Sequence, residues 1–339
     1  MATTLDSADP ARDPFGERRA RPLRWRTRVL GAPCEFTSND RRLLDLARQA
    51  FAGVPEHRWR AGDRPLSLRI SLELARDPAR AASRHPPRPV LSSGAGLLCA
   101  HFDAHSHAVV DVGGSRAVVR VVPSLLKHQR LVRYELIEFA AVMLATRAQG
   151  LVPLHAGCVG ARGRGVLLLG ASGAGKSTLA LHAALAGLDF LAEDSVFVQA
   201  STLRATGLGA FAHARGDGLA LLEDRRQRAA VRRAPRIQRR SGVRKHEVDL
   251  RGRARLAPRP LRIVGVLALS ARAARTAAAI PLSQARLRRT LRSGQAYAAA
   301  QPGWQDFERR LLRIPAHQLG RVTPAEAVAV LRGLLGVPA

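Results

Sequence analysis

The eight residues Gly170-Ala171-Ser172-Gly173-Ala174-Gly175-Lys176-Ser177 combine glycine, lysine and hydroxyl at the spacing G-x-x-x-x-G-K-S. At that spacing a backbone can cradle the phosphates of a nucleoside triphosphate. Glycines let the chain wrap closely enough for successive N–H groups to face phosphate oxygens. A helix starting at the lysine adds unpaired donors and partial positive charge. In such a loop Lys176 reaches the β and γ phosphates, and the Ser177 hydroxyl ligates Mg²⁺. Each residue from Gly170 to Thr178 is therefore a candidate nucleotide contact, and ATP and Mg²⁺ are the expected cofactors.

The flanks agree with this reading. Val166-Leu167-Leu168-Leu169 forms a short apolar strand before the loop, and Thr178 to Ala186 reads as a helix closed by Gly187. Lysine is scarce in this chain, occurring only at positions 127, 176 and 245, yet it stands where the loop requires it. A second group of candidates follows the next apolar segment, Leu188 to Ala192, which ends in Glu193-Asp194 and continues into Ser195-Val196-Phe197-Val198. Strand, helix and strand predict a βαβ unit, which sets the acidic pair beside the loop at the carboxyl edge of the sheet. A carboxylate there can hold Mg²⁺ or accept a proton from an attacking hydroxyl.

Upstream, Leu154 to Val159 reads as one strand and Gly160 to Gly165 as a turn, so a hairpin is expected to deliver the loop. Leu66 to Leu74 alternates apolar and polar residues as a half-buried strand does, and 108–112 with 117–122 flank a Gly113-Gly114-Ser115 turn. A helix capped by Ser124 and ending at Gly150 is expected to connect two domains. Leu261 to Leu269 reads as a buried strand. The chain closes on a helix with Thr323 as N-cap, Pro324 at its first position and Glu326 completing a capping box. The expected class is α/β, a P-loop sheet with flanking helices, behind a smaller α+β N-terminal domain. The expected divisions are a disordered leader at 1–23, the N-terminal domain at 24–124 and the nucleotide domain at 125–339.

Composition narrows the classes further. The 339 residues are 46% hydrophobic, enough for a sizeable core, with only 4% aromatics. The formal charge of +29 comes almost entirely from arginine spread along the chain. The densest stretch, Arg225 to Arg255, contains no aromatic side chain for base stacking, which makes nucleic acid an unlikely partner. Arg244-Lys245 reads as a solvated face, with a phosphate clamp as the alternative. Cys34, Cys99 and Cys158 share no metal-ligand spacing and read as small buried hydrophobes. No apolar run approaches the length of a membrane helix and no secretory signal is legible, so no membrane partner and a cytoplasmic address are expected.

A hairpin carrying histidine and glycine, Leu154-His155-Ala156-Gly157, then the phosphate loop, then the Glu193-Asp194 pair: over about residues 151 to 199 this resembles the catalytic domain of HPr kinase/phosphorylase and its kinase-like relatives. The resemblance implies ATP-dependent phosphorylation of a seryl hydroxyl on a protein or peptide. It carries over Lys176 and Ser177 directly, Asp194 as base, Glu193 as a metal-side carboxylate, and His155 as a group near the transferred phosphate. Three positions depart from the family. Ala171 replaces a loop aspartate, Glu193 an aspartate of the pair, and Arg204 a glutamate before Gly207-Leu208-Gly209. These departures put the family's reverse, phosphorolytic activity in doubt more than the forward one. Two other readings stay open: a small-metabolite P-loop kinase, and a nucleotide-dependent regulatory or nucleic-acid-binding protein. Self-association as a homo-oligomer is also left open.

Overall fold

The computed structural model describes residues 20–59, 67–75, 89–222, 224–238, 243–273 and 278–338. It is mixed α/β and divides into two compact units, Met1–Ala52 with Ala61–Ala148, and Gly53–Arg60 with Gln149–Ala339.

The first unit begins with a hairpin of β1 (Leu23–Val29) and β2 (Ala32–Ser38). Its two-residue turn, Leu30-Gly31, has positive φ at both positions, the twist that favours hairpins. Helix α1 (Arg41–Phe51) follows, its N-terminus capped by the Asp40 carboxylate accepting from Arg42 N–H. Then come β3 (Leu68–Leu74), β4 (Val90–Gly94), β5 (Leu97–His101), β6 (His107–Asp111) and β7 (Arg116–Val121). The sheet order is β1-β2-β3-β7-β6-β5-β4, with β2, β3 and β7 parallel and the rest antiparallel. Of the strand expected at 66–74, β3 covers Leu68–Leu74 while residue 66 lies outside the described residues, and the 113–115 hairpin forms. Most of the leader expected at 1–23 lies outside the described residues, and Leu23 is already in a strand.

The helix expected from Ser124 to Gly150 is less regular and differently placed. It starts at Pro123, with extended Val122 as N-cap residue and no side-chain cap, giving α2 (Pro123–Leu126). Next come α3 (Gln129–Val132), a π-helical turn (Arg133–Glu138) and α4 (Phe139–Ala148). Leu136, Ile137 and Leu144 are fully buried, and α4 packs on β3, β6 and β7. This run therefore belongs to the first unit and forms its core. The division falls at 148/149 rather than at 124/125, because the apolar face of the run is spent on the first sheet.

In the second unit the expected strand at 154–159 is two strands, β8 (Val152–Leu154) and β9 (Gly157–Ala161). β9 and β10 (Arg164–Leu169) make the predicted hairpin through a tighter turn, Arg162-Gly163. Helix α5 (Lys176–Leu185) leads to β11 (Asp189–Ala192), β12 (Val196–Gln199) and β13 (Arg204–Gly207). A small sheet of β14 (Phe211–Ala214), β15 (Arg236–Gln238) and β16 (Arg244–Asp249) carries α6 (Gly216–Ala220) and α7 (Arg225–Arg232) between its first two strands. The chain ends with β17 (Leu261–Ala273), β18 (Ile280–Pro281), α8 (Gln284–Gly294), α9 (Ala296–Ala299), α10 (Trp304–Leu311), β19 (Ala316–Arg321) and α11 (Pro324–Leu335). The capping box predicted at Thr323 and Glu326 is present.

The main sheet runs β11-β9-β10-β17-β13-β12-β8, with β19 beside the far part of β17. β10 is parallel to β17, and β9 lies antiparallel to both β10 and β11. β11 therefore runs in the direction of β10. Alternate residues of β10 enter two cores. Leu167 and Leu169 pack with Leu287, Leu291, Trp304 and Phe307 on one face, while Val166 and Leu168 pack with Leu179, Leu331 and Leu335 on the other. A strand covered on both faces reads as a continuous apolar run, which is why Val166 to Leu169 was legible. No helix among the described residues is long and apolar enough to cross a membrane.

Candidate functional site

β10 is paired on both sides, so its carboxyl end is a fixed platform for the loop that leaves it. Gly170 has φ +146°, and a Cβ there would come within 2.8 Å of the Leu269 carbonyl oxygen on the neighbouring parallel strand. No other residue type fits that departure from the sheet. Ala171, Ser172 and Gly173 form an exposed rim, and Gly175 is the left-handed N-cap of α5 with no side-chain cap. The first turn of α5 thus keeps uncapped backbone donors at its positive end.

Lys176 opens α5 and is 6% exposed. Its Nζ donates to the carbonyl of Gly170 at 2.7 Å and of Ala171 at 3.3 Å, inside its own loop. Burial holds this ammonium below the usual lysine range. Asp194 acts in the opposite direction, and the like charge of Lys245 adds to the lowering. Ser177 and Thr178 are half-buried in the first turn, and the Gly218 backbone lies close to the Thr178 hydroxyl.

The acidic pair splits into two environments. Glu193 is buried, and its Oε1 accepts from the His213 backbone N–H at 2.9 Å and from His213 Nδ1 at 2.6 Å. This ties the end of β11 to β14. Glu193 Oε2 is buried without a hydrogen-bond partner. Asp194 faces outward, and its Oδ1 lies 2.9 Å from His155 Nδ1, with the two side chains 31% and 54% exposed. The structure thus brings Lys176, Asp194 and His155 into one cluster and anchors Glu193 behind it.

Several contributors carried no sequence signal. His213 lies in the short strand Phe-Ala-His-Ala, twenty residues from its carboxylate. Lys245 shares a face of the small sheet with His213, because His213 pairs directly with Glu247 and side chains two apart lie on one face. That face explains how Lys245 comes to act on Lys176. Gln295 bonds the backbone of His155 from 140 residues away. Gly207 and Gly209, read from the sequence as a possible later motif, pack on the strand ahead of the acidic pair. A Cβ on Gly207 would meet the Leu191 carbonyl oxygen at 2.7 Å, and one on Gly209 would meet it at 3.2 Å. Arg204 is exposed at the opposite end of β13.

Mg²⁺ fits these residues. Among the described residues no three His, Cys, Asp or Glu side chains converge on a point. A Mg²⁺ bound mainly through substrate phosphates needs only one or two carboxylates and a hydroxyl, with water completing the shell. The unpartnered Glu193 Oε2 and the Ser177 hydroxyl are oxygens of that kind. The two buried thiols, Cys34 and Cys158, are pushed up to about 12 by burial, which removes them as nucleophiles or metal ligands at neutral pH. Compared with known proteins, the chain matches no family model and no curated sequence.

Proposed function

We propose that the chain is an ATP-dependent kinase that phosphorylates a seryl hydroxyl of a protein or peptide. One observation carries this reading. A phosphate-type loop with a buried lysine stands beside an outward-facing aspartate that is hydrogen-bonded to an exposed histidine. A regulator that only binds a nucleotide has no need of a polarised carboxylate–imidazole pair next to the phosphates.

The loop backbone and the first turn of α5 bind and orient the triphosphate. Lys176 exchanges the Gly170 and Ala171 carbonyls for β and γ phosphate oxygens and neutralises charge on the phosphoryl group in flight. Asp194 takes the proton of the acceptor hydroxyl as its oxygen bonds to the γ phosphorus and the bond to the β,γ-bridging oxygen breaks. His155 donates its Nδ1–H to Asp194 and so orients the carboxylate that receives the acceptor's proton. Ser177 and Glu193 would hold Mg²⁺, which when bound draws charge from the β and γ phosphates. Lys245, on the side of the small sheet that influences Lys176, adds positive charge where phosphate accumulates.

The test is transfer of label from γ-labelled ATP in the presence of candidate acceptor proteins and peptides. Label on a serine supports the reading. Label on a small metabolite points to a metabolite kinase instead, and label only in released phosphate points to a nucleotide-driven regulator.

A further inference from the structure

Between β8 and β9 the chain changes partners. β8 ends at Leu154, opposite Val196 of β12, and β9 begins at Gly157, opposite Leu168 of β10. His155 lies in that gap, outside both ladders. A residue there would ordinarily take its backbone orientation from whatever loop surrounds it. Instead its N–H donates to Gln295 Oε1 at 2.8 Å, and its carbonyl accepts from Gln295 Nε2 at 2.9 Å. Two opposed bonds to a single residue reproduce one hydrogen-bonded pair of an antiparallel ladder. The amide that provides them is 5% exposed. It stands at the N-cap of α9, just after α8, and these helices are fixed in the core by Leu287, Leu291 and Ala298.

We infer that Gln295 is a positioning residue whose side chain acts as a one-residue strand, fixing the His155 backbone so that the imidazole meets Asp194. The inference rests on the reading of His155 and Asp194 as proton-handling groups. The physical reason for a rigid mount is the exposure of the pair. With the His155 ring 54% exposed, few side-chain neighbours are available to hold it, so its direction must be set from the backbone. Burying an amide with both ends satisfied on one backbone unit is specific in distance and angle. A displacement of about 1 Å at a reacting group costs on the order of 100-fold in rate.

The experiment compares Gln295→Met, which keeps length and removes both bonds, in the full wild-type chain and in a His155→Ala chain. In the wild-type background we expect kcat to fall roughly 10- to 100-fold with the KM for ATP within about two-fold. In the His155→Ala background the same substitution should cost nothing further, since the group it orients is gone. An equal loss in both backgrounds, or an unchanged kcat, overturns the inference. Ring nitrogen shifts of His155, read by NMR with ¹⁵N-labelled histidine, give a second readout that does not need the kinase activity. They should move away from the Asp194-bonded position in Gln295→Met, and shifts identical to wild type overturn the inference. If wild type transfers no label at all, the kinase reading fails while this readout still decides the mount. Should Gln295→Met not fold, Gln295→Glu takes its place. It retains an acceptor for His155 N–H but sets an anionic oxygen against the His155 carbonyl, and it carries the same expectations.

Discussion

Lys176 donates to the carbonyls of Gly170 and Ala171, so its ammonium ties together the loop that surrounds it. Its pKa is held down, first by burial, so in the proposed kinase a bound phosphate would offset a poorly solvated positive charge. Lys176→Ala should therefore weaken triphosphate binding by about 100-fold, the value of a charge-assisted hydrogen-bond set, and lower the melting temperature by no more than a few degrees, since only the loop loses its bonds. Calorimetric titration beside a thermal melt checks this, and undiminished affinity would remove the loop from the mechanism. Asp194 differs because in the proposed mechanism it meets the acceptor rather than the phosphate cradle. Asp194→Asn should keep ATP affinity within a few-fold and lose about 10²–10⁴ in kcat, the range spanned by one general base. Single-turnover transfer with each carboxylate replaced in turn separates the pair. Activity surviving in Asp194→Asn but abolished in Glu193→Gln would reverse the roles given to them.

Strand β13 passes so near the end of β11 that only glycine fits at 207, with the Leu191 carbonyl 2.7 Å and Ala192 Cβ 2.8 Å from where a methyl would sit. Gly207→Ala should push β11 away, cost about 1–3 kcal/mol of stability and shift Glu193-Asp194 enough to lower turnover. Urea unfolding and transfer assays measure the two effects, and an unchanged midpoint would mean that the strands part freely. The same element shows what the sequence could and could not say. The hairpin, loop, α5 and β11 were legible because they are contiguous and each announces itself by glycine spacing or an apolar run. The partition of the acidic pair was not. It depends on His213, which reaches it from β14, on His155, which reaches it from the gap between β8 and β9, and on Gln295, which arrives from a helix joint. Local pattern also gave the helix expected at 124–150 to the second domain, whereas the units divide at 148/149. An amphipathic helix declares that it will bury a face, but not against which sheet. β4 is exposed throughout and offers no alternation to read, whereas β1, Leu-Arg-Trp-Arg-Thr-Arg-Val, does alternate, its arginines indistinguishable from those spread along the rest of the chain.

Across the whole chain, the division into units does not follow chain order. Gly53–Arg60 lies between elements of the first unit yet folds with the second, and His57 shows what secures it. The ring is 6% exposed, with Nδ1 2.7 Å from the Thr206 hydroxyl and Nε2 2.9 Å from the Ala257 carbonyl. Thr206 belongs to β13 and Ala257 to the stretch bonded along β11, so one imidazole ties together the strands behind the acidic pair. The Ala257 carbonyl needs a donor at Nε2, which leaves Nδ1 to accept from Thr206 in the neutral ring. Burial lowers the His57 pKa from its ordinary value of 6.5. In the unfolded chain the ring takes a proton near that value, whereas in the folded chain it resists protonation. The contribution to stability is therefore complete above about pH 6.5 and is lost as pH falls toward the folded pKa. A chain of net charge +29 gains further self-repulsion on acidification, so a fall in melting temperature from pH 7.5 to 5.5 would not by itself identify His57. The comparison that isolates it is His57→Gln, which retains a donor and an acceptor but cannot titrate. At pH 7.5 the variant should melt lower than wild type, since the shorter amide cannot span both partners. Between pH 7.5 and 5.5 it should lose less than wild type loses. Parallel pH profiles for the two proteins would show that His57 does not titrate with unfolding, and that the tie between these strands is insensitive to acid.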